Sequence, residues 1–341
     1  MRQISTLLVT GGAGFIGSNL VRHLAAMGRY RVVVLDALTY AGNLENLRGV
    51  VNGNQVVFVH GSINDAALVN NVLAEFSIDA VLHLAAESHV DRSIQSAAPF
   101  IETNVGGTLV MLEASVRHGV QRFVHVSTDE VYGSLGPHDA PFTEQSPLNP
   151  TSPYAASKAA SDLLVLAFAK THNLHAVVTR CSNNYGPYQF PEKFIPLITL
   201  NALEGRQLPV YGDGLQVRDW IHVQDHCSAL VAVLEKGTSQ EVYNVGGSCE
   251  RENIHVLRSI LAETGADHSL ITHVTDRKAH DRRYAINSAK VMQELGWQAS
   301  TRFETGLRET VAWYRSNSEW CNHVRSGEYR TYYQQQYNTP L

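Results

Sequence analysis

Cysteine is scarce in this chain of 341 residues, and none of the four present, Cys181, Cys227, Cys249 and Cys321, stand in C-x-x-C spacing. That excludes a disulfide framework as the expectation and points to reduced thiols in a cytoplasmic protein. Long hydrophobic runs are missing too. No stretch approaches the roughly 20 apolar residues of a membrane span. The first apolar run, Leu7–Val9, leads straight into glycines, so no signal peptide is expected. A basic excess is also absent. Lysine and arginine number 27 against 32 acids, a net charge of -5, which gives no support to a nucleic-acid surface. The 16 histidines are scattered without H-E-x-x-H or a comparable ligand cluster, so no metal is expected. No internal repeat appears, and the only biased tract is Gln334–Gln336.

What is present is the composition of an ordinary globular protein, 44% hydrophobic and 17% charged. The length suggests about two domains and a core large enough to stand without disulfides. The first half repeats one pattern: a short apolar run, a turn, then a helical segment. The runs are Leu7–Val9, Val32–Leu35, Val56–Val59, Ala80–Leu84, Phe123–Val126 and Ala176–Val178. Being apolar on both faces and rich in β-branched residues, they read as parallel strands covered by helices. Ser18–Met27 reads as a helix closed by Gly28, and Pro99–Arg117 and Tyr154–Thr171 as longer helices. The fold class expected is α/β: a doubly wound, parallel Rossmann-type sheet with a smaller C-terminal substrate domain. After Asn184, prolines and glycines cluster, which marks loops and short elements. Residues 1–185 are expected to form the nucleotide domain, with 219–246 returning to it. Residues 186–330 form mainly the substrate domain, and 331–341 a tail.

Thr10–Gly17, T-G-G-A-G-F-I-G, follows the first strand and opens the first helix. Glycines at 11, 14 and 17 allow a tight turn, close approach to a pyrophosphate, and helix–strand packing. The helix N-terminus offers free N–H groups and a partial positive charge to phosphates. Asp36 ends the second strand, where an acid can bond a ribose 2′-hydroxyl, and no arginine follows to hold a 2′-phosphate. NAD is therefore the expected cofactor.

Tyr154 and Lys158 lie four apart, on one face of a helix. A neighbouring ammonium is expected to lower the tyrosine pKa, so that a phenolate can take a hydroxyl proton as hydride leaves. With Ser127 and Thr128, and with H-L-A-A at 83–86, these motifs resemble the extended short-chain dehydrogenase/reductase family, from about Ser5 to Arg315.

Asp129 and Glu130 follow the fifth strand, at the carboxyl edge where ligands of such sheets sit. Two adjacent carboxyls can divide acid and base roles, because like charges in a low dielectric raise one pKa. The sequence leaves open which one is protonated. Four long segments, 36–43, 83–93, 183–193 and 280–284, together with T-D-E-V-Y-G at 128–133, resemble the dTDP-glucose 4,6-dehydratase family closely.

That resemblance implies an NAD-dependent lyase acting on a dTDP-sugar. Tyr154 would be the base for oxidation at sugar C4, supported by Lys158 and Thr128. Asp129 would be the acid at the C6 hydroxyl and Glu130 the base at C5. NAD would lie against Gly11, Gly14, Phe15, Ile16, Gly17, Asp36, Leu38, Thr39, Gly42, Ser62, Leu84, Ala85, Ala86, Ser88, Thr103, Tyr154, Lys158 and Asn184. The nucleotide-sugar would meet Ser88, Thr128, Asp129, Glu130, Asn183, Lys193, Leu197, Pro209, Tyr211, Arg218, Asn253, Arg277 and His280. A homodimer pairing Pro99–Arg117 and Tyr154–Thr171 is also implied. Two places depart from the family pattern: Gly61–Ser62, where Gly-Asp usually stands near the adenine, and Arg277–Ala279, where Arg-Pro-Gly is usual. The rival readings are a 4-epimerase, a decarboxylase or a GDP-mannose dehydratase of the same fold, and a non-catalytic NAD-binding relative.

Overall fold

The computed structural model describes residues 3–276 and 281–326. Seven strands form one parallel sheet: β1 (Thr6–Thr10), β2 (Arg31–Asp36), β3 (Val56–His60), β4 (Ala80–His83), β5 (Arg122–Thr128), β6 (Ala176–Cys181) and, later in the chain, β10 (Val242–Val245). Their order is β10-β6-β5-β4-β1-β2-β3. All six pairings are parallel, as the doubly apolar runs imply. Alternate residues feed opposite faces. Leu7, Val9, Val32 and Val34 enter one core, while Leu8, Val33 and Leu35 enter the other.

The helices begin and end where local chemistry requires it. Gly28 closes the helix Phe15–Met27 in the left-handed conformation, with φ 66°. Asp65 caps Ala66–Glu75 through the Leu68 N–H. Ser152 caps Pro153–Thr171 through the Ala155 N–H, with Pro153 in the first turn. The run from Ala98 to Arg117 is not a uniform α-helix, because Ile101–Gly107 widens into π-helix.

Past residue 182 the chain alternates between layers. Strands β7 (Asn183–Tyr185), β9 (Val217–His222) and β11 (Glu250–Glu252) form a three-stranded sheet, and β8 (Leu208–Tyr211) pairs with β12 (Ile271–Val274). A third core, including Ile198, Leu208, Val210, Trp220, Leu257 and Leu307, packs beneath them. Between these elements, Val223–Lys236 and β10 join the large sheet and its first core, as do Val291, Leu295 and Trp297.

One polar contact crosses the hydrophobic layers. Asp162, fully buried, accepts from Arg180 Nε at 2.9 Å. Arg180 Nη1 reaches the Tyr132 hydroxyl at 2.9 Å, which donates to Asn244 at 2.8 Å. Removing the guanidinium would strand a buried carboxylate. Arg180→Met should therefore lower unfolding stability by about 3–5 kcal/mol. A fall in the urea midpoint at unchanged slope would register it.

Candidate active site

The site forms where β1 and β4 lie side by side, the point at which the connections diverge to opposite sides. A cavity of about 360 Å³ opens there, against the loops that follow β1, β2, β4, β5 and β6. A second, of about 250 Å³, adjoins it and shares Glu130, Asn183, Asn184, Gln189, Glu192 and Lys193.

The glycine loop makes one wall of the larger cavity. At Gly11, φ is +69° and a Cβ would lie 2.7 Å from the Ala85 nitrogen. At Gly17 a Cβ would lie 2.1 Å from the Gly11 carbonyl oxygen. Only glycine allows this close a crossing. The helix starting at Phe15 has no side-chain cap and no acid in its first turn. Its first N–H groups are thus left for an outside acceptor, which suits a pyrophosphate. Asp36 holds the next turn, accepting from the Ala13 N–H at 2.9 Å and the Leu38 N–H at 2.8 Å. A carboxylate keeps further lone pairs for a ribose hydroxyl. These residues fit a dinucleotide.

Of the residues expected to face NAD, all but Leu38 line this cavity. Leu38 sits at φ +49°, which turns its side chain into the first core, 5% exposed. Its N–H shapes the loop instead. Thr128, Asp129, Glu130, Asn183 and Lys193 line the larger cavity, and Leu197, Pro209, Tyr211, Arg218 and Asn253 the smaller one. Arg277 and His280 lie outside the described residues, as does the Lys278–Ala279 departure. The other departure, Ser62, faces the larger cavity.

Around the reacting groups, burial dominates. Asp129 is 3% exposed. Loss of water pushes its pKa well above the carboxyl range, Glu130 and Asp219 add to the rise, and Arg218 opposes it. Burial and neighbouring negative charge thus favour the protonated form of Asp129. Its Oδ1 accepts from the Thr128 hydroxyl at 3.3 Å, and its Oδ2 is buried with no hydrogen-bond partner. Tyr154 is driven well above its ordinary value, by burial first and then by Glu130.

This differs from the expected effect of Lys158 on Tyr154. The lysine ammonium donates to the Val126 carbonyl at 2.8 Å and lies 3.4 Å from His125 Nε2. Burial lowers its own pKa to about 8, opposed by Asp162 and Cys181. Helical spacing puts Tyr154 and Lys158 on one face, but the sheet holds the ammonium, and carboxylates dominate the charge felt by the phenol.

Sequence reading missed several lining residues. Tyr40, Cys181, Phe190 and Glu192 face the larger cavity, and Trp220 and Tyr284 the smaller. Most lie inside or beside segments already singled out, but spacing in a loop does not tell which side chains turn inward. Arg218 packs over the Tyr284 ring at 4.6 Å and donates to the Val217 and Asp281 carbonyls at 2.8 and 3.0 Å. Its charge is thus fixed at the edge of the smaller cavity, as anion recognition requires.

The model of the family described as GDP-mannose 4,6 dehydratase matches residues 8–310. A dTDP-glucose 4,6-dehydratase of Xanthomonas campestris pv. campestris is 53% identical, over 96% of this chain and 98% of that protein. The crystal structure of DesIV, a dTDP-glucose 4,6-dehydratase from Streptomyces venezuelae with NAD and TYD bound, is 51% identical. It superposes with a TM-score of 0.90, over 94% of this chain and 99% of that one. A UDP-glucose 4-epimerase of Thermotoga maritima shares the fold at TM-score 0.86 but is 33% identical, over 92% of this chain and 99% of that one. By its sequence and fold, the chain belongs to the dTDP-glucose 4,6-dehydratase family of extended short-chain dehydrogenases/reductases.

Proposed function

We propose that the chain converts dTDP-glucose to dTDP-4-keto-6-deoxy-glucose and water, with NAD as its resident cofactor. One observation carries the reading: a buried Asp129, its pKa raised by loss of water, beside Glu130 in the cavity that also holds Tyr154 and the glycine loop. Gly11 and Gly14–Gly17 would hold the pyrophosphate, Asp36 a ribose, and Lys158 the nicotinamide end. When bound, NAD supplies reversible hydride acceptance, from sugar C4 at the start and back to C6 at the end.

The rest is proton handling by the chain. Tyr154 takes the C4 hydroxyl proton as the ketone forms, a step that calls for its phenolate, which burial and Glu130 oppose and which the positive charge of a bound nicotinamide would favour. That ketone acidifies the C5 proton, so Glu130 removes it without being a strong base. Asp129 protonates the C6 oxygen, which leaves as water. A carboxyl whose pKa is raised by burial is suited to this step, because it holds its proton to higher pH than an exposed one. Arg218, with Asn253 and Lys193, would bind the nucleotide diphosphate. A 4-epimerase has no need of the acid step.

The exposed apolar residues Ile101, Leu109, Val116 and Leu163 lie on the two adjacent helical runs 98–117 and 153–171. They support a homodimer formed through these helices. The four cysteines are free, and no helix among the described residues is long and apolar enough to cross a membrane. Both fit a cytoplasmic enzyme.

Incubated with dTDP-glucose and no added NAD, the purified protein should release a product lighter by one water, seen by mass spectrometry. No such product even with NAD supplied would refute the reading. Asp129→Asn and Glu130→Gln should each reduce steady-state turnover by about 10²–10⁴-fold. Near-normal turnover in either would remove that residue from its role. Leu163→Glu, at 59% exposure, should halve the mass measured by light scattering. An unchanged mass would place the interface elsewhere.

A further inference from the structure

The helix Ser318–Ser326 lies away from the chemistry: among the described residues, none of it lines either cavity. Three hydrogen bonds in series nevertheless join it to the cofactor end of the site. The Trp320 indole N–H donates to Asn46 Oδ1 at 2.8 Å. Asn46 Nδ2 donates to the Ala13 carbonyl at 2.9 Å. The Ala13 N–H donates to Asp36 Oδ2 at 2.9 Å. All four residues are buried, Asn46 at 2% exposure. Ala13 belongs to the glycine loop, and Asp36 is the acid placed for a ribose.

Donor chemistry dictates the direction of this series. An indole N–H only donates, whereas an amide has an oxygen that accepts and a nitrogen that donates. With its oxygen facing the indole, the Asn46 amide faces Ala13 with its nitrogen. Reversed, it would set two donors together and turn its oxygen on the Ala13 carbonyl, and both mismatches would be buried. Trp320 thus selects the orientation of the amide. The Ala13 carbonyl, which also accepts from the Asn43 N–H at 3.0 Å, is held from two sides just before the helix that opens at Phe15. The aim of the first N–H groups of that helix depends on how the preceding peptides are held.

The helix is firmly seated. Trp320, Cys321 and Val324 share an apolar cluster with Leu200 and Tyr314. The Tyr314 hydroxyl donates to the carbonyl of Gln189, a residue that lines the larger cavity, at 2.6 Å. His323 Nδ1 lies 3.0 Å from Glu45 Oε1, on the same short turn, Leu44–Leu47, that carries Asn46. We infer that Trp320 is a positioning residue for the cofactor: acting through Asn46, it fixes the Ala13 peptide and slows the release of NAD. This rests on NAD lying against the glycine loop, as proposed above.

The test follows NAD release directly, as the exchange of bound NAD for labelled NAD in the protein as purified. In Trp320→Phe, which keeps an aromatic ring and loses the donor, exchange should be about 5–10-fold faster. Turnover with NAD in excess should stay near that of the unaltered protein, since no reacting group is touched. Asn46→Ala should speed exchange by a similar factor, and the double variant no further, because both cut one link. Val324→Ala, which thins the same apolar cluster and keeps the indole, should exchange at close to the original rate. Unchanged exchange in Trp320→Phe would overturn the inference, as would effects that add in the double variant or an equal acceleration in Val324→Ala. If Trp320→Phe does not fold, as judged by its melting curve, Asn46→Asp takes its place. It still accepts from the indole but turns a carboxylate oxygen on the Ala13 carbonyl, so it must hasten exchange by itself, and an unchanged rate there overturns the link. NAD carried by the unaltered protein tests the cofactor site separately.

Discussion

The ion pair between Asp162 and Arg180 anchors the helix that carries Tyr154 and Lys158. Tyr154, Lys158 and Asp162 are spaced by four along one helix and make a single polar stripe. Its lower end is tied to β6 through Arg180, its middle to β5 through the Val126 carbonyl, and its upper end lines the cavity. A helix buried against a sheet by apolar contacts alone could slide with modest change in energy. A buried carboxylate that must meet one guanidinium cannot, because any shift uncovers an unpaired charge. The phenol is therefore placed by a contact two turns away.

The same burial sorts the acids. Asp129 and Glu130 are adjacent in sequence, yet Asp129 is buried at the end of β5 while Glu130 looks into both cavities. Loss of water and its neighbours' negative charge raise the pKa of Asp129. Nearby, burial and then Lys158 lower the pKa of His125, which favours its neutral form. The cleft thus sets its charge pattern before any ligand arrives, which is the condition for electrostatic preorganisation.

Much of this was legible in the sequence, for definite reasons. The strands are short β-branched runs with no polar alternation, so their burial on both faces could be read directly. Gly11, Gly14 and Gly17 sit at positions where a side chain cannot fit, and that demand leaves a mark in sequence. Tyr154 and Lys158 were visible because a helix has a fixed period. What was hidden depended on contacts between distant segments. Arg180 meeting Asp162, Asn244 closing the network, and Lys158 held by β5 have no local signature. Leu38 differs from its loop neighbours in having a positive φ and a side chain in the first core, which a loop sequence does not reveal. The choice between Asp129 and Glu130 likewise needed burial, which no dipeptide reveals.

The seventh strand has a consequence for how the protein is made. β10 pairs with β6 across an intervening sixty residues, and those residues build much of the second layer. A ribosome that has released β1 to β6 has therefore delivered a sheet with a raw parallel edge. That edge stays open until residue 245 emerges. Val223–Lys236, which covers the face beside the first helix, arrives only just before it. The nucleotide-binding layer cannot finish as an independent unit during synthesis, and it must wait for a chain that has already begun the other half. The two halves of the enzyme are thus bound to a common schedule of folding as well as to a common cleft.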